Sequence, residues 1–411
     1  MNILCVFGQH NYGDPKRGES YEYANFIPSL RHLGHQVIFL ESWDRSCYKD
    51  FRELNRLLLR TVEQKRPDVI LAVMFTYEIW LETWKILRDA GIGVTINWTT
   101  DDSWKYDQFS RLVAPALHAF TTTYPDIYTR YHRDGIQNVL LTQWAANAAQ
   151  MNTPLPAAEC QYPVSFIGTA HGKRRAWVEA LRRKGIEVAC FGQGWPHGPI
   201  ASSIIPEIIR KSIISLNFAN SGEAWRWAKS GQSNQIKART FEVPGAGGFL
   251  LTEWADGLNR YYEVGREIDV FHGISELADK IRHYLAFPKE RDAITYAGYI
   301  RTQRDHTYDL RLKEVVEFAL DQRRKYYATR NMSPSGNIKW SEFEEAVKHH
   351  KTNWKLQLLK SLLIFVCSIL WGSSRGPRAA RRIIFELSWR LAGAQSYSAS
   401  GLPGRMFYGV S

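Results

Sequence analysis

No two cysteines in this chain stand at metal-ligand spacing, and their number is odd. The five (Cys5, Cys47, Cys160, Cys190 and Cys367) are scattered through 411 residues. That excludes a disulfide framework and a zinc knuckle, and fits thiols kept reduced in the cytosol. The first residues, NILCVFG, enter a strand-like run at once, without a basic region, a long apolar core and a cleavage site. No signal peptide is expected. An uninterrupted apolar or small run in the last part of the chain, Ser361 to Trp371, is well short of the roughly 20 residues that cross a bilayer. The glycines of the first loop, GQHNYGDPKRGES, lack the GxGxxG spacing of a dinucleotide fingerprint.

What remains is a globular composition, 45% hydrophobic and 23% charged, long enough for two domains with additions. The net charge of +12 is uneven: residues 328–411 hold twelve Lys/Arg against four Asp/Glu. Nucleic acid is the usual partner of a basic protein. Here the charge is interleaved with apolar runs, as in RGPRAARRIIFELSWRLAG, which fits a basic amphipathic helix on an anionic membrane surface and no nucleic acid. The alternative is that these apolar faces pack on the body or on a second subunit.

Buried-type strands (NILCVFG, QVIFLES, PDVILAVMF, VTINW, AFTTTY, NVLLTQWA) alternate with helices over residues 1–150. A linker, NTPLPAAECQYP, leads to a second alternating region at 161–327 (VSFIGT, EVACFG, IISLNFA, GFLLTEW, EIDVFHG). Two α/β, Rossmann-like, doubly wound domains facing a cleft are expected, followed by a helical, basic tail at 328–411. Sites in such sheets lie beyond the carboxyl ends of the strands.

The segment Ile236–Trp254, IKARTFEVPGAGGFLLTEW, carries the strongest chemical signal. Lys237 and Arg239 precede Glu242, and Gly245, Gly247 and Gly248 precede an apolar strand. Cations and helix amides suit a diphosphate, and a carboxylate suits sugar hydroxyls. Together they point to a nucleotide sugar. A lone glutamate at a helix start is otherwise an ordinary cap or solvated charge.

KARTFEVPGAGGFLLTEW, GLNRYYEVGREIDVF and AGYIRTQRDHTYDLRL, with NYGDPKRGESYEYANFIPSLRHLGHQVIF at the front, resemble CgeB-like, spore-maturation-type glycosyltransferases over roughly residues 1–320. The resemblance implies a GT-B fold with a group 1 type C-terminal domain that holds the donor. Glu242 would accept bonds from the nucleotide ribose, Lys237 and Arg239 would face the diphosphate, and Gly245, Gly247 and Gly248 would let the backbone close around it. Many retaining GT-B enzymes place a second glutamate eight residues earlier. Asn234 stands there, which can bond a hydroxyl but carries no charge. The stereochemical outcome and the sugar stay open.

A general base is sought in WTTDDSWKYD, at the end of a strand of the first domain. Asp101 and Asp102 are the candidates, with Trp98 and Trp104 as stacking faces. An acidic turn or helix cap is the plain alternative. The pair lacks the third position of a DxD motif, so no metal is expected. His10, Asn11 and Lys16 of the first loop are further binding candidates. In the second domain, Gly168, Thr169, His171 and Lys173 head a helix near the donor, and Trp195 could stack on the base.

The expectation is a metal-independent glycosyltransferase without a separate cofactor. It moves a sugar from a nucleoside-diphosphate donor to a hydroxyl of a glycan, lipid-linked or small acceptor, in cell-envelope polysaccharide chemistry. Its place would be the cytoplasm or the inner face of the membrane, and domain closure would exclude water. A sugar-nucleotide epimerase of the same fold and a non-catalytic, membrane-attached donor-binding scaffold are the rivals.

Overall fold

The computed structural model describes residues 1–219, 234–373, 375–393 and 401–410, without the side chains of Trp104, Trp389 and Ala392. The chain divides into two compact units, Met1–Thr142 with Lys313–Ser411, and Gln143–Leu312.

The first unit is a six-stranded sheet in the order β2-β1-β3-β4-β5-β6. Its strands are β1 (Asn2–Phe7), β2 (Gln36–Glu41), β3 (Val69–Ala72), β4 (Val94–Asn97), β5 (Ala119–Thr122) and β6 (Val139–Leu141). All pairings are parallel. Every residue of β3, β4 and β5 is buried, as strands covered on both faces require. The connecting helices are α1 (Tyr21–His32), α2 (Phe51–Lys65), α3 (Leu81–Ala90), the short α4 (Asp102–Lys105) and α5 (Arg111–Val113), and α6 (Pro125–Arg133). Their boundaries follow local chemistry. Asp50 caps α2 by accepting from the Glu53 amide at 2.9 Å, and α2 buries Leu54, Leu58 and Val62 on one face. Ser20 caps α1, and α3 stops at Gly91 in the left-handed region.

The second unit is a five-stranded sheet in the order β11-β10-β9-β7-β8. It comprises β7 (Tyr162–Ile167), β8 (Ala189–Phe191), β9 (Ser212–Asn217), β10 (Leu250–Glu253) and β11 (Asp269–Phe271), again all parallel. Helices α7 (Arg174–Arg183), α8 (Ile205–Arg210), α9 (Arg239–Gly245), α10 (Ile274–Ala286) and α11 (Pro288–Asp305) cover it. Arg291 of α11 is fully buried, and its guanidinium donates to the carbonyls of Leu155, Ser212 and Ile213. In both sheets the strand order reverses beside the first strand, between β1 and β3 and between β7 and β9, which marks the carboxyl ends there as sites.

The chain re-enters the first unit within α12 (Tyr308–Arg330) and continues as α13 (Trp340–His349), α14 (Trp354–Trp371), α15 (Gly376–Ala392) and α16 (Leu402–Tyr408). The unit boundaries therefore differ from those expected at residues 150, 161 and 327. Residues 328–411 do not stand apart, because Phe343, Val347, Phe385 and Tyr408 share the core of the first unit with Trp80 and Tyr77.

Candidate functional site

At the carboxyl edge of the second sheet, β7 leads through Gly168, Thr169 and His171 into α7, whose ten residues begin at Arg174. An open, shallow pocket lies there, lined by His171, Lys173, Arg174, Trp177, Phe218 and Glu253. Glu253 is the last residue of β10. Burial, and next the neighbouring Arg239, hold the Arg174 guanidinium below its ordinary pKa, while Glu253 works the other way. Arg239 in turn pairs with Glu242 one helical turn on, at 2.7 Å. Two arginines, two carboxylates and the start of α7 thus share one strand edge, a place where an anion meets donors and positive helix-end charge.

The remaining candidates of this unit sort by geometry. Lys237 donates to the Gln235 amide oxygen. Asn234 donates to the carbonyl of Trp254 at 2.7 Å, which sets it beside the end of β10. The indole of Trp195 donates to the carbonyl of Gly168 at 2.8 Å and meets Phe166 edge-on, so this tryptophan braces the loop instead of lining the pocket. Arg174 and Glu253 are the charged lining residues that pattern reading passes over. A charge closing the apolar run FLLTE is the signal that marks Glu253.

Gly247 and Gly248 do not cradle a ligand. Helix α9 runs back against the strands, so its C-terminal end lies at the amino edge of the sheet, just before β10 begins. A Cβ on Gly247, whose φ is +79°, would fall 2.5 Å from the carbonyl oxygen of Asn152, and one on Gly248 would fall 2.5 Å from Ile209. The close approach they permit is that of the protein's own chain.

In the first unit the Asp101–Asp102 pair is split. Asp101 is exposed, with φ +58° in the left-handed region. Asp102 is fully buried and accepts the Tyr131 hydroxyl at 3.0 Å. Burial pushes the Asp102 carboxyl up to about 6, against the hydroxyls of Ser110, Thr122 and Tyr131. Trp98 is equally buried, edge-on to Phe26 at 5.0 Å, and presents no face to a sugar. The side chain of Trp104 lies outside the described residues.

Around Asp101 stand three buried titratable groups that sequence reading did not flag. Glu22, in the first turn of α1, is raised to about 7 by burial, with Lys105 opposing the rise and Asp101 adding to it. Glu78, after β3, is raised by burial against the amides of Thr76, its own backbone and Phe75, and against Lys105. Lys105, buried in α4, is lowered by burial while Asp101, Glu78 and Asp102 support its charge. Groups with perturbed proton affinities gathered at the ends of β1, β3 and β4 suit proton transfer. In the first loop, Asn11 donates to the carbonyls of Arg17 and Glu19 and His10 bridges to Glu19, so both residues build the loop. Lys16 is exposed, and its amide donates to Asp14. Among the described residues no group of three or more His, Cys, Asp or Glu is placed to hold a metal ion.

Residues 173–317 match the family model described as glycosyl transferase-like, a span that includes Arg174, Asn234, Arg239, Glu242 and Glu253. No curated protein matches the chain by sequence. Solved structures share its fold. The glycosyltransferase of Rickettsia africae ESF-5 superposes with a TM-score of 0.55 at 11% identity, covering 78% of this chain and 98% of its own. Anabaena Alr3699/HepE, in complex with UDP-glucose, gives 0.51 at 11%, covering 80% and 100%. Sucrose-phosphate synthase of Thermosynechococcus elongatus gives 0.51 at 10%, covering 80% and 100%. Identities this low establish the fold, which is GT-B. Fold and family match together support a glycosyltransferase enzyme of the GT-B type.

Proposed function

We propose that the chain transfers a sugar from a nucleoside-diphosphate sugar to a hydroxyl of a glycan, lipid-linked or small acceptor, as a CgeB-like enzyme of the cytoplasm and the inner membrane face. The observation that carries this is the gathering of Arg174, Arg239, Glu242 and Glu253 at the carboxyl edge of the second sheet. Arg174, Arg239, Lys173 and the start of α7 hold the diphosphate, and Glu242 takes the ribose hydroxyls. Lys237 and Asn234, at the same edge, face the diphosphate and the sugar, with Gly168, Thr169 and His171 forming the loop beneath. The acceptor oxygen bonds to the anomeric carbon as that carbon's bond to the diphosphate oxygen breaks. The electron pair leaves with the nucleoside diphosphate, whose charge the two arginines offset without a metal ion. The acceptor's proton passes to a carboxylate of the first unit, and the exposed Asp101 is the one assigned. HepE holds UDP-glucose, which makes a uridine donor the first to test.

A thermal-shift screen of UDP, GDP and dTDP and their sugars tests the donor site, since the preferred ligand raises the melting point by mass action. Release of nucleoside diphosphate with cell-envelope acceptors supports transfer. Binding without turnover would leave the scaffold, and interconversion of donor sugars the epimerase.

A further inference from the structure

Helix α14 turns an apolar surface outward that no described residue of its unit covers. Trp354 is 70% exposed, Leu362 57%, Phe365 63% and Ile369 68%, and among its described residues only Cys367 is buried. With 18 residues and a mean hydropathy of 1.5, the helix is long and apolar enough to cross a membrane. Its surroundings argue against a crossing. It lies along α15 and α16, which anchor Phe385 and Tyr408 in the core. At its start, Thr352 donates to the carbonyl of Val410, and near its end Gly376 packs on Ser368 with no room for a side chain. A helix tied along its length to a folded unit stays in the plane of that unit's surface.

The charge of the hairpin defines what covers it. Residues 354–392 hold seven Lys/Arg and one carboxylate, Glu386. Arg378 stands over the ring of Tyr12 at 4.2 Å, and Arg17 lies 5.4 Å from the same ring. Asp14 takes Arg17 at 3.2 Å. Arg381 donates to the Tyr408 hydroxyl at 3.0 Å. Burial, and next Arg17, lower the proton affinity of Arg378, and Arg381 lowers it further, so these cations repel one another. An anion placed among them relieves that repulsion. A two-fold pairing of α14 with itself would instead bring two such basic hairpins face to face.

We propose that the α14–α15 hairpin seats the first unit on an anionic bilayer, with α14 lying in the interface and Arg17, Arg378 and Arg381 taking lipid phosphate. Lys355, exposed at the start of α14, extends its amine to the headgroups while its stem stays with the apolar face, whereas Lys360 lies over the ring of Phe407. The inference deepens the proposed function, and rests on it, at one point. The hairpin belongs to the same unit as Asp101, which favours a lipid-linked molecule among the proposed acceptors.

The test is flotation of the full chain, without nucleotide, with phosphatidylcholine vesicles containing or lacking phosphatidylglycerol. The protein should float with the anionic vesicles and release with added salt. Leu362→Glu with Ile369→Glu, both on the exposed face, should weaken flotation roughly tenfold or more with an unchanged melting point. Arg378→Gln should weaken binding to the anionic vesicles and leave any residual binding to phosphatidylcholine as it was. Undiminished flotation of the double variant overturns the proposal. So does a dimer in light scattering that the double variant dissociates, which would make the face a contact between copies. UDP affinity is measured on the same variants, so a failed flotation with intact UDP binding sinks the membrane surface alone.

Discussion

The indole of Trp80 donates its N–H to the backbone carbonyl of Tyr408, 328 residues later, at 3.0 Å. The Tyr408 ring is buried against Phe51, Tyr77 and Phe385. The seven-residue helix α16 therefore closes the core of the first unit although it lies at the far end of the chain. Tyr408→Ala removes a buried ring and a hydrogen-bonding hydroxyl, and should destabilise the protein by about 3–5 kcal/mol. Tyr408→Phe keeps the ring and loses only the Arg381 and Thr76 contacts, for about 1 kcal/mol. Urea unfolding of the full chain checks both, and an alanine variant as stable as the parent would place α16 outside the core. For the same reason point substitutions, and not removal of the tail, are the right probes of the hairpin.

Asp101 and Asp102 are neighbours with opposite expectations. As general base, Asp101→Asn should lower turnover by about 10²–10⁴ while leaving donor affinity unchanged. Asp102→Asn keeps an acceptor for the Tyr131 hydroxyl and removes a buried charge, so turnover should stay within about threefold of the parent. The pair of rate constants, measured at saturating donor, decides. Loss of rate in the Asp102 variant alone would reverse the assignment.

Glu22 carries a pH signature. Its folded pKa is raised from 4.5 to about 7, mainly by burial. Between those values the native state keeps a proton that the unfolded chain has released, so this group's contribution to stability falls as pH rises from about 4.5 to 7. Glu22→Gln removes that loss and should gain up to about 3 kcal/mol at pH 8 relative to the parent. Lys105 keeps Asp101, Glu78 and Asp102 as partners in this variant. Melting temperatures from pH 4 to 8 test it. Parallel curves for parent and variant would show that Glu22 does not titrate in this window.

The two sheets were legible because parallel strands buried on both faces read as unbroken apolar runs, and VILA of β3 is such a run. The Arg239–Glu242 pair was legible because residues three apart meet on a helix. The glycines that follow misled because their meaning depends on direction. Only the reversal of α9 against β10 shows that Gly247 and Gly248 lie at the edge away from the pocket. Trp98 and Asp102 misled because a strand end holds both inward and outward positions one residue apart. Glu22, Glu78 and Lys105 come from three separate loops and helices, and no spacing in the chain announces that they meet.

Glu242 and Gly247 belong to one short segment and should separate ligand binding from packing. Glu242→Ala removes the proposed ribose contact and leaves Arg239 unpaired beside Arg174, so uridine nucleotides should bind about tenfold or more weakly. The melting point without ligand should move little, because an exchange between two partly exposed side chains contributes at most about 1 kcal/mol. Gly247→Ala forces a Cβ toward the Asn152 carbonyl at a positive φ, and should destabilise the fold by about 1–3 kcal/mol. Its affinity for UDP should equal the parent's, because the altered atoms lie at the opposite edge of the sheet from Arg174. Calorimetric titration of UDP into the three proteins distinguishes the roles. An unchanged dissociation constant for Glu242→Ala would remove that carboxylate from the donor site, and a weakened one for Gly247→Ala would return the glycine turn to it.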